Sequence, residues 1–309
     1  MKTLLDIQNY SQFDNFEFIA TQIVEGFITG LHRSPFHGFS VEFAEHRIYN
    51  TGESTKHIDW KLFAKTDKLF VKRFEEETNL RCQIVVDTSS SMLYPFQNSK
   101  LESKSAFSFY SAAALIHLLR KQRDAVGLSF FDTEIQTHTQ AKLSHIHAQM
   151  LYAELYRHFE LSQTKTAFHK KTSIAPILHQ IAEAIHTRSL VIIFSDFFED
   201  ANQEELFTSL QHLRHNKHEV IVFHVTEPNA EDLFDFSNRP LKITDMETGE
   251  KIKIHPNKVR EQYAMRMKKL NKQLSLSCAQ HGIEYVKADI NKGFYQVLLA
   301  YIIKRNKLF

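Results

Sequence analysis

Asp87, Ser89 and Ser91 stand at alternate positions in the stretch Cys82–Met92, which reads Cys-Gln-Ile-Val-Val-Asp-Thr-Ser-Ser-Ser-Met. One carboxylate and two hydroxyls within five residues supply hard oxygen ligands. Such a set suits a divalent cation like Mg²⁺, with water completing a near-octahedral shell. The residues before it, Ile84, Val85 and Val86, form a β-branched apolar run typical of a strand buried on both faces. Asp87 closes that strand, so its carboxyl and the serines sit on the loop that follows. The serines have a second possible use, as caps for the next helix.

A similar arrangement recurs downstream. Leu190 to Phe194 is another strongly apolar run, and it closes on Ser195-Asp196. Between the two runs, Thr172 opens a helical pattern that continues through Ile185. In an open α/β sheet, ligands bind beyond the carboxyl ends of the strands, where the strand order reverses. The two most apolar strands are the natural centre of such a sheet. Asp87, Ser89, Ser91, Thr172 and Asp196 can therefore meet at one rim, as two carboxylates and three hydroxyls. Each has a plainer use too: Thr172 as a helix N-cap, Asp196 as a cap for the helix after its strand.

The elements that must position these groups follow from periodicity. From Arg81 onward, strands and helices alternate. Strands are expected at 83–87, 125–131, 134–139, 190–194, 219–225 and 283–287. Helices are expected at 102–123, 143–159, 172–185, 203–215, 259–280 and 294–303. This alternation predicts a doubly wound, mostly parallel α/β sheet flanked by helices over residues 81–309. Residues 231–257 break the rhythm. There, 242–244 and 251–254 flank Thr248-Gly249-Glu250 and predict an inserted β-hairpin.

Residues 1–80 differ in kind and are expected to form a smaller N-terminal α+β subdomain. Apolar positions recur at helical spacing over 1–35, and Gly30 and Pro35 interrupt them. Residues 38–80 are dense in charge and aromatics, with a strand expected over 69–75 and a helical turn or two over 57–65. The single tryptophan, Trp60, follows Asp59. It either packs this subdomain or, with Arg47 and Asp59, forms a partner-binding face.

Composition narrows the classes. Lys plus Arg number 38 and Asp plus Glu 36 in 309 residues, a balance unlike that of a dedicated nucleic-acid binder. Only eight glycines occur, and none forms a phosphate-binding run. The two cysteines, Cys82 and Cys278, are expected as buried thiols, and the histidines suggest no zinc site. Met1 to Tyr10 lacks a signal-peptide pattern, and no apolar stretch approaches the ~18 residues of a membrane span. The expectation is a soluble, cytoplasmic protein.

The five oxygen-bearing residues, in this order on these elements, resemble the metal-ion-dependent adhesion site of von Willebrand factor A domains. The resemblance implies Mg²⁺ or Mn²⁺ held by the hydroxyls of Ser89, Ser91 and Thr172, with Asp87 and Asp196 acting partly through water. It also implies an open coordination position for an Asp or Glu of a protein partner. Lys170-Lys171 stand where that family often has glycine. The preceding segment is similar to bacterial domain-of-unknown-function family 58. It carries Gly38-Phe39-Ser40-Val41-Glu42-Phe43, Arg47-Ile48-Tyr49, Gly52-Glu53, His57-Ile58-Asp59-Trp60 and Phe74-Glu75-Glu76-Glu77. Members of that family commonly accompany MoxR-type AAA+ ATPases. The resemblance thus implies a non-enzymatic, metal-dependent binding module acting in assembly or chaperone-like maturation. The alternative is a Mg²⁺-dependent, phosphatase-like hydrolase using the same carboxylates.

Overall fold

The computed structural model describes residues 16–30, 46–48, 60–72, 80–95, 103–164, 174–197, 203–244, 251–293 and 295–308. They fall into two compact units, one of Met1–Gly30 with Leu80–Phe309 and one of Leu31–Asn79. The smaller unit contains β1 (His46–Ile48), a helix α2 (Trp60–Thr66) and β2 (Phe70–Lys72). Strands β1 and β2 pair antiparallel, with Arg47 opposite Val71. Trp60 is 60% exposed, and its ring meets Phe63 edge-on at 6.2 Å.

The larger unit is built on a six-stranded sheet. Its strands are β3 (Arg81–Asp87), β4 (Ala125–Phe131), β5 (Ile135–His138), β6 (Leu190–Ser195), β7 (Glu219–Thr226) and β10 (Glu284–Asp289). The order is β10-β7-β6-β3-β4-β5. All neighbours are parallel except β4 and β5. The chain runs outward from β3 through β4 to β5, then returns to the other side of β3 as β6. The order therefore reverses between β3 and β6, at the two strands the sequence marks as central. Cys82 to Val86 and Val191 to Phe194 are wholly buried, as central strands covered on both faces must be.

Alternate side chains go to opposite faces. Val85, Val191, Ile193, Val220 and Val222 pack with α5 (Ile174–Ala184), α6 (Gln203–His215) and α7 (Pro256–Gln280). The other face carries α3 (Lys104–Lys121), α4 (His145–Thr164) and α8 (Tyr295–Leu308). Phe109 of α3 meets Phe130 at 5.8 Å there, and the Tyr301 hydroxyl donates to Gln122 at the end of α3, at 2.9 Å.

Helix α3 is buried on almost every side because a further helix, α1 (Phe16–Gly30), covers its outer flank. Phe16 stacks on Tyr110 at 5.2 Å, and Arg120 pairs with Glu17. The sequence division assigns all of 1–80 to one N-terminal unit. The structure groups α1 with the sheet instead, because its apolar side, with Phe16, Ile19, Ala20 and Val24 buried, is what closes over α3. The expected hairpin is present as β8 (Leu241–Thr244) and β9 (Lys251–Ile254), paired antiparallel. Both cysteines are free and buried, and burial pushes the Cys278 thiol up to about 11.

Candidate metal centre

Four of the five expected ligands lie on described residues, at the carboxyl rim of β3 and β6. Val86 lies opposite Phe194, so the next residues, Asp87 and Ser195, leave the sheet side by side. The Ser195 hydroxyl donates to Asp87 Oδ2 at 2.7 Å and accepts from the Phe197 amide at 3.0 Å. The Ser89 amide donates to Asp87 Oδ1 at 2.8 Å, so both carboxyl oxygens are fixed. Ser89 and Ser91 place their hydroxyl oxygens 3.0 Å apart. They sit at the start of a single 3₁₀ turn, Ser90–Leu93, and the Ser89 side chain makes no capping bond to it. The cap of α3 is Ser103, whose hydroxyl accepts from the Ala106 amide. The serines are thus not spent on helix capping. Thr172 and Asp59 lie outside the described residues, and of Arg47 only the backbone pairing is described.

Asp196 follows at the same rim, 5% exposed, and its Oδ2 accepts from Lys104 Nζ at 2.7 Å. The Lys104 ammonium also pairs with Glu231, on the turn Pro228–Asp232 that follows β7. Glu231 is in turn held by the Glu227 amide at 2.8 Å. Lys104 is only 1% exposed, a position a lysine keeps only when paired. Burial alone would lower its affinity for a proton, but Asp196 and Glu231 together hold it above the ordinary lysine range.

The electrostatics show the strain of crowding acids here. Asp87 is pushed up from 3.8 to about 7, first by burial and then by the negative charge of Asp196. Hydrogen bonds from Ser195 and Ser89 oppose the rise. Burial also raises Glu231, with Lys104 opposing. Nearby His224, whose Nδ1 lies 2.7 Å from the Tyr285 hydroxyl, is driven by burial down to about 4 and stays neutral.

This donor set fits a hard divalent cation. It offers carboxylate and hydroxyl oxygens without sulfur, in a buried place where, among the described residues, Asp87, Asp196 and Glu231 gather about the Lys104 ammonium. Among the described residues, no group of three or more His, Cys, Asp or Glu side chains could hold a metal of any kind, so a cation here would have to rest on the two carboxylates together with the serine hydroxyls. A small hollow lined by Arg81, Gln83, His186 and Ser189 lies at the opposite ends of the same strands, away from these groups.

Lys104, Glu231 and Ser195 are not in the ligand set read from sequence. Lys104 has a visible signal, a lone charge entering the apolar run Ser105–Leu119. Glu231 has a weaker one, four residues after Glu227 beyond an apolar strand. Ser195 is visible only beside Asp196.

A family profile described as "Protein of unknown function DUF58" matches residues 45–273. The chain belongs to this family. Relatives include the uncharacterised protein Rv1480 of Mycobacterium tuberculosis and Mb1516 of Mycobacterium bovis. Each is 21% identical over 233 residues, covering 75% of this chain and 69% of the relative. Among solved structures, BatB from Bacteroides thetaiotaomicron aligns with a TM-score of 0.44 at 14% identity, over 74% of this chain and all of that one. An aerotolerance-related membrane protein from Bacteroides fragilis aligns with a TM-score of 0.43 at 17% identity, over 73% and 99%. A membrane-spanning protein from Vibrio fischeri aligns at 0.24 and 12%, over 72% and 96%. Likenesses this distant say nothing of function.

The cytoplasmic location expected from the sequence is withdrawn; two of these neighbours are themselves described as membrane proteins. Among the described residues, no helix is long and apolar enough to cross a bilayer, but that does not fix where the chain resides.

Proposed function

We propose that the chain is a von Willebrand A-like, cation-dependent protein-binding module of the DUF58 family. It would engage an Asp or Glu carboxylate of a partner at the rim of β3 and β6. The observation that supports this best is the convergence of buried Asp87 and Asp196 with the paired hydroxyls of Ser89 and Ser91, where strand order reverses. Asp87, Ser89, Ser91 and Asp196 would hold Mg²⁺ or Mn²⁺, with Thr172 as the fifth group. A bound divalent cation supplies an open coordination position and cancels the local negative charge, so that an incoming carboxylate meets attraction rather than repulsion.

The chain's own groups do the rest. Ser195 and the Ser89 amide fix the direction of the Asp87 carboxylate. Without the cation, Lys104 holds Asp196 in place. The rigid central strands keep the two acids at one separation, so little ordering is left for the moment of binding. A MoxR-type AAA+ ATPase or its client is the partner class in this reading, with a role in assembly or chaperone-like maturation of other proteins.

The test is a pull-down of such an ATPase with the full chain in Mg²⁺ and in EDTA, beside the Asp87→Ala variant. Binding is expected in Mg²⁺ alone and is expected to vanish in the variant. Binding that persists in EDTA and in Asp87→Ala would refute cation dependence. Turnover of a generic phosphate ester, lost in Asp87→Ala, would favour a hydrolase instead.

A further inference from the structure

The rim carries a cation of its own. Lys104 enters from the first turn of α3, is almost wholly buried, and bonds two carboxylates at once, Asp196 at 2.7 Å and Glu231. Among the described residues, Asp87, Asp196 and Glu231 gather about this ammonium, so the cluster is rich in negative charge when its acids are ionised. Buried charge of that kind is costly unless a counter-charge arrives. The lysine has the longer arm with which to change partner. Its ammonium sits on a flexible four-carbon stem, whereas Glu231 is fixed by the Glu227 amide on its turn.

We infer that Lys104 is a resident counter-ion which holds Asp196 in the absence of metal, gives Asp196 up to a divalent cation, and then stays with Glu231. Lys104 and Glu231 thereby set the affinity of the site from opposite directions. Lys104 competes with the cation, and Glu231 draws Lys104 off the contested carboxylate. This rests on the cation-dependent reading above, but makes a separate claim about residues outside the ligand set.

The experiment is calorimetric titration of the full chain with MnCl₂, comparing wild type with Lys104→Met, Glu231→Gln and the double variant. Effects of opposite sign are expected. Lys104→Met should bind Mn²⁺ at least about tenfold tighter, because a like charge is removed from a partly buried site. Glu231→Gln should bind at least about tenfold weaker, because Lys104 is left with Asp196 alone. A role confined to holding the fold together would weaken both. Should Lys104→Met fail to fold, the double variant, which removes the lysine together with its second acid, carries the test. It should bind tighter than Glu231→Gln, and equal or weaker binding overturns the inference. Equal affinity in wild type and Lys104→Met overturns the inference and leaves the cation reading standing. Binding seen in Lys104→Met but not in wild type supports the competition and overturns cation-dependent function in the natural chain. Binding in none of the four proteins overturns both.

Discussion

Replacing Asp87 with Asn separates the charge of this residue from its shape. In the folded chain Asp87 holds its proton up to about pH 7, whereas an unfolded aspartate releases it near 3.8. Between those values the folded state binds more protons than the unfolded one, so this group makes stability fall as pH rises. The full window is about three pH units, worth about 4 kcal/mol at 1.36 kcal/mol each. Asn keeps the acceptor for the Ser89 amide and cannot ionise. The stability of Asp87→Asn minus that of wild type should therefore grow from pH 4 to pH 7 and level off above it. Urea denaturation in EDTA, followed by circular dichroism at several pH values, measures that difference. Tryptophan fluorescence would serve poorly, since the single tryptophan, Trp60, lies in the other unit. Addition of Mg²⁺ at pH 8 should restore wild type and leave the variant unchanged. A difference curve that is flat, or that falls with pH, would refute the claim that burial, reinforced by the charge of Asp196, keeps Asp87 protonated.

Three further outcomes follow from the same geometry. His224 is depressed to about 4 by burial, so the folded state resists its protonation and loses stability as pH falls from 6.5 toward 4. His224→Gln should remove up to about 3 kcal/mol of that loss, read as a difference curve sloping opposite to that of Asp87→Asn. Ser195→Ala deletes the donor to Asp87 and the acceptor of the Phe197 amide. Its cost, about 1–3 kcal/mol, should be larger at pH 8 than at pH 5, because the lost bond favours the ionised acid. Gly127→Ala would set a methyl carbon 2.3 Å from the Gln83 side chain, 2.5 Å from the Thr139 carbonyl and 2.8 Å from the Ala141 amide. Two of these are backbone atoms, so a drop of at least about 2 kcal/mol in denaturation free energy is expected.

Those residues also mark where sequence reasoning succeeds and stops. The apolar runs ending at Asp87 and Asp196 announce central strands, since only strands covered on both faces can be so uniformly β-branched and aromatic. Strand β4 and helix α6 fall where periodicity puts them, at Ala125–Phe131 and Gln203–His215. What periodicity cannot give is partnership across the sheet. The sequence marks Lys104 as a charge at the start of an apolar helix, but not its partners Asp196 and Glu231, 92 and 127 residues away in the chain. Helix α1 is legible as an amphipathic helix, but its sequence does not say which flank it will cover. The raised pKa of Asp87 depends on depth of burial and on one distant charge, and neither is local information.

The fold itself explains why acids gather at this rim. Each parallel strand ends near the start of a helix, where the unpaired amides and the helix dipole favour negative charge. Here the strands close on acids one after another: Asp87 at the end of β3, Asp132 after β4, Asp196 after β6, Glu227 after β7 and Asp289 at the end of β10. Most are settled locally. Asp132 takes bonds from Thr133 and Gln136, Glu227 from the Ala230 amide, and Asp289 from the Asn291 amide. Asp87 and Asp196 differ because the reversal of strand order brings them together under nearly complete burial. The Ser89 amide bonds Asp87 locally, but a hydrogen bond does not cancel the repulsion between the two carboxylates. Relief has to come from a charge delivered by another part of the chain, which is the office of Lys104, or from one delivered by solvent. On the reading proposed above, a site balanced between an internal and an external cation would be one whose occupancy a small change can reverse, and that is the property a binding module needs if the cation is to govern its grip.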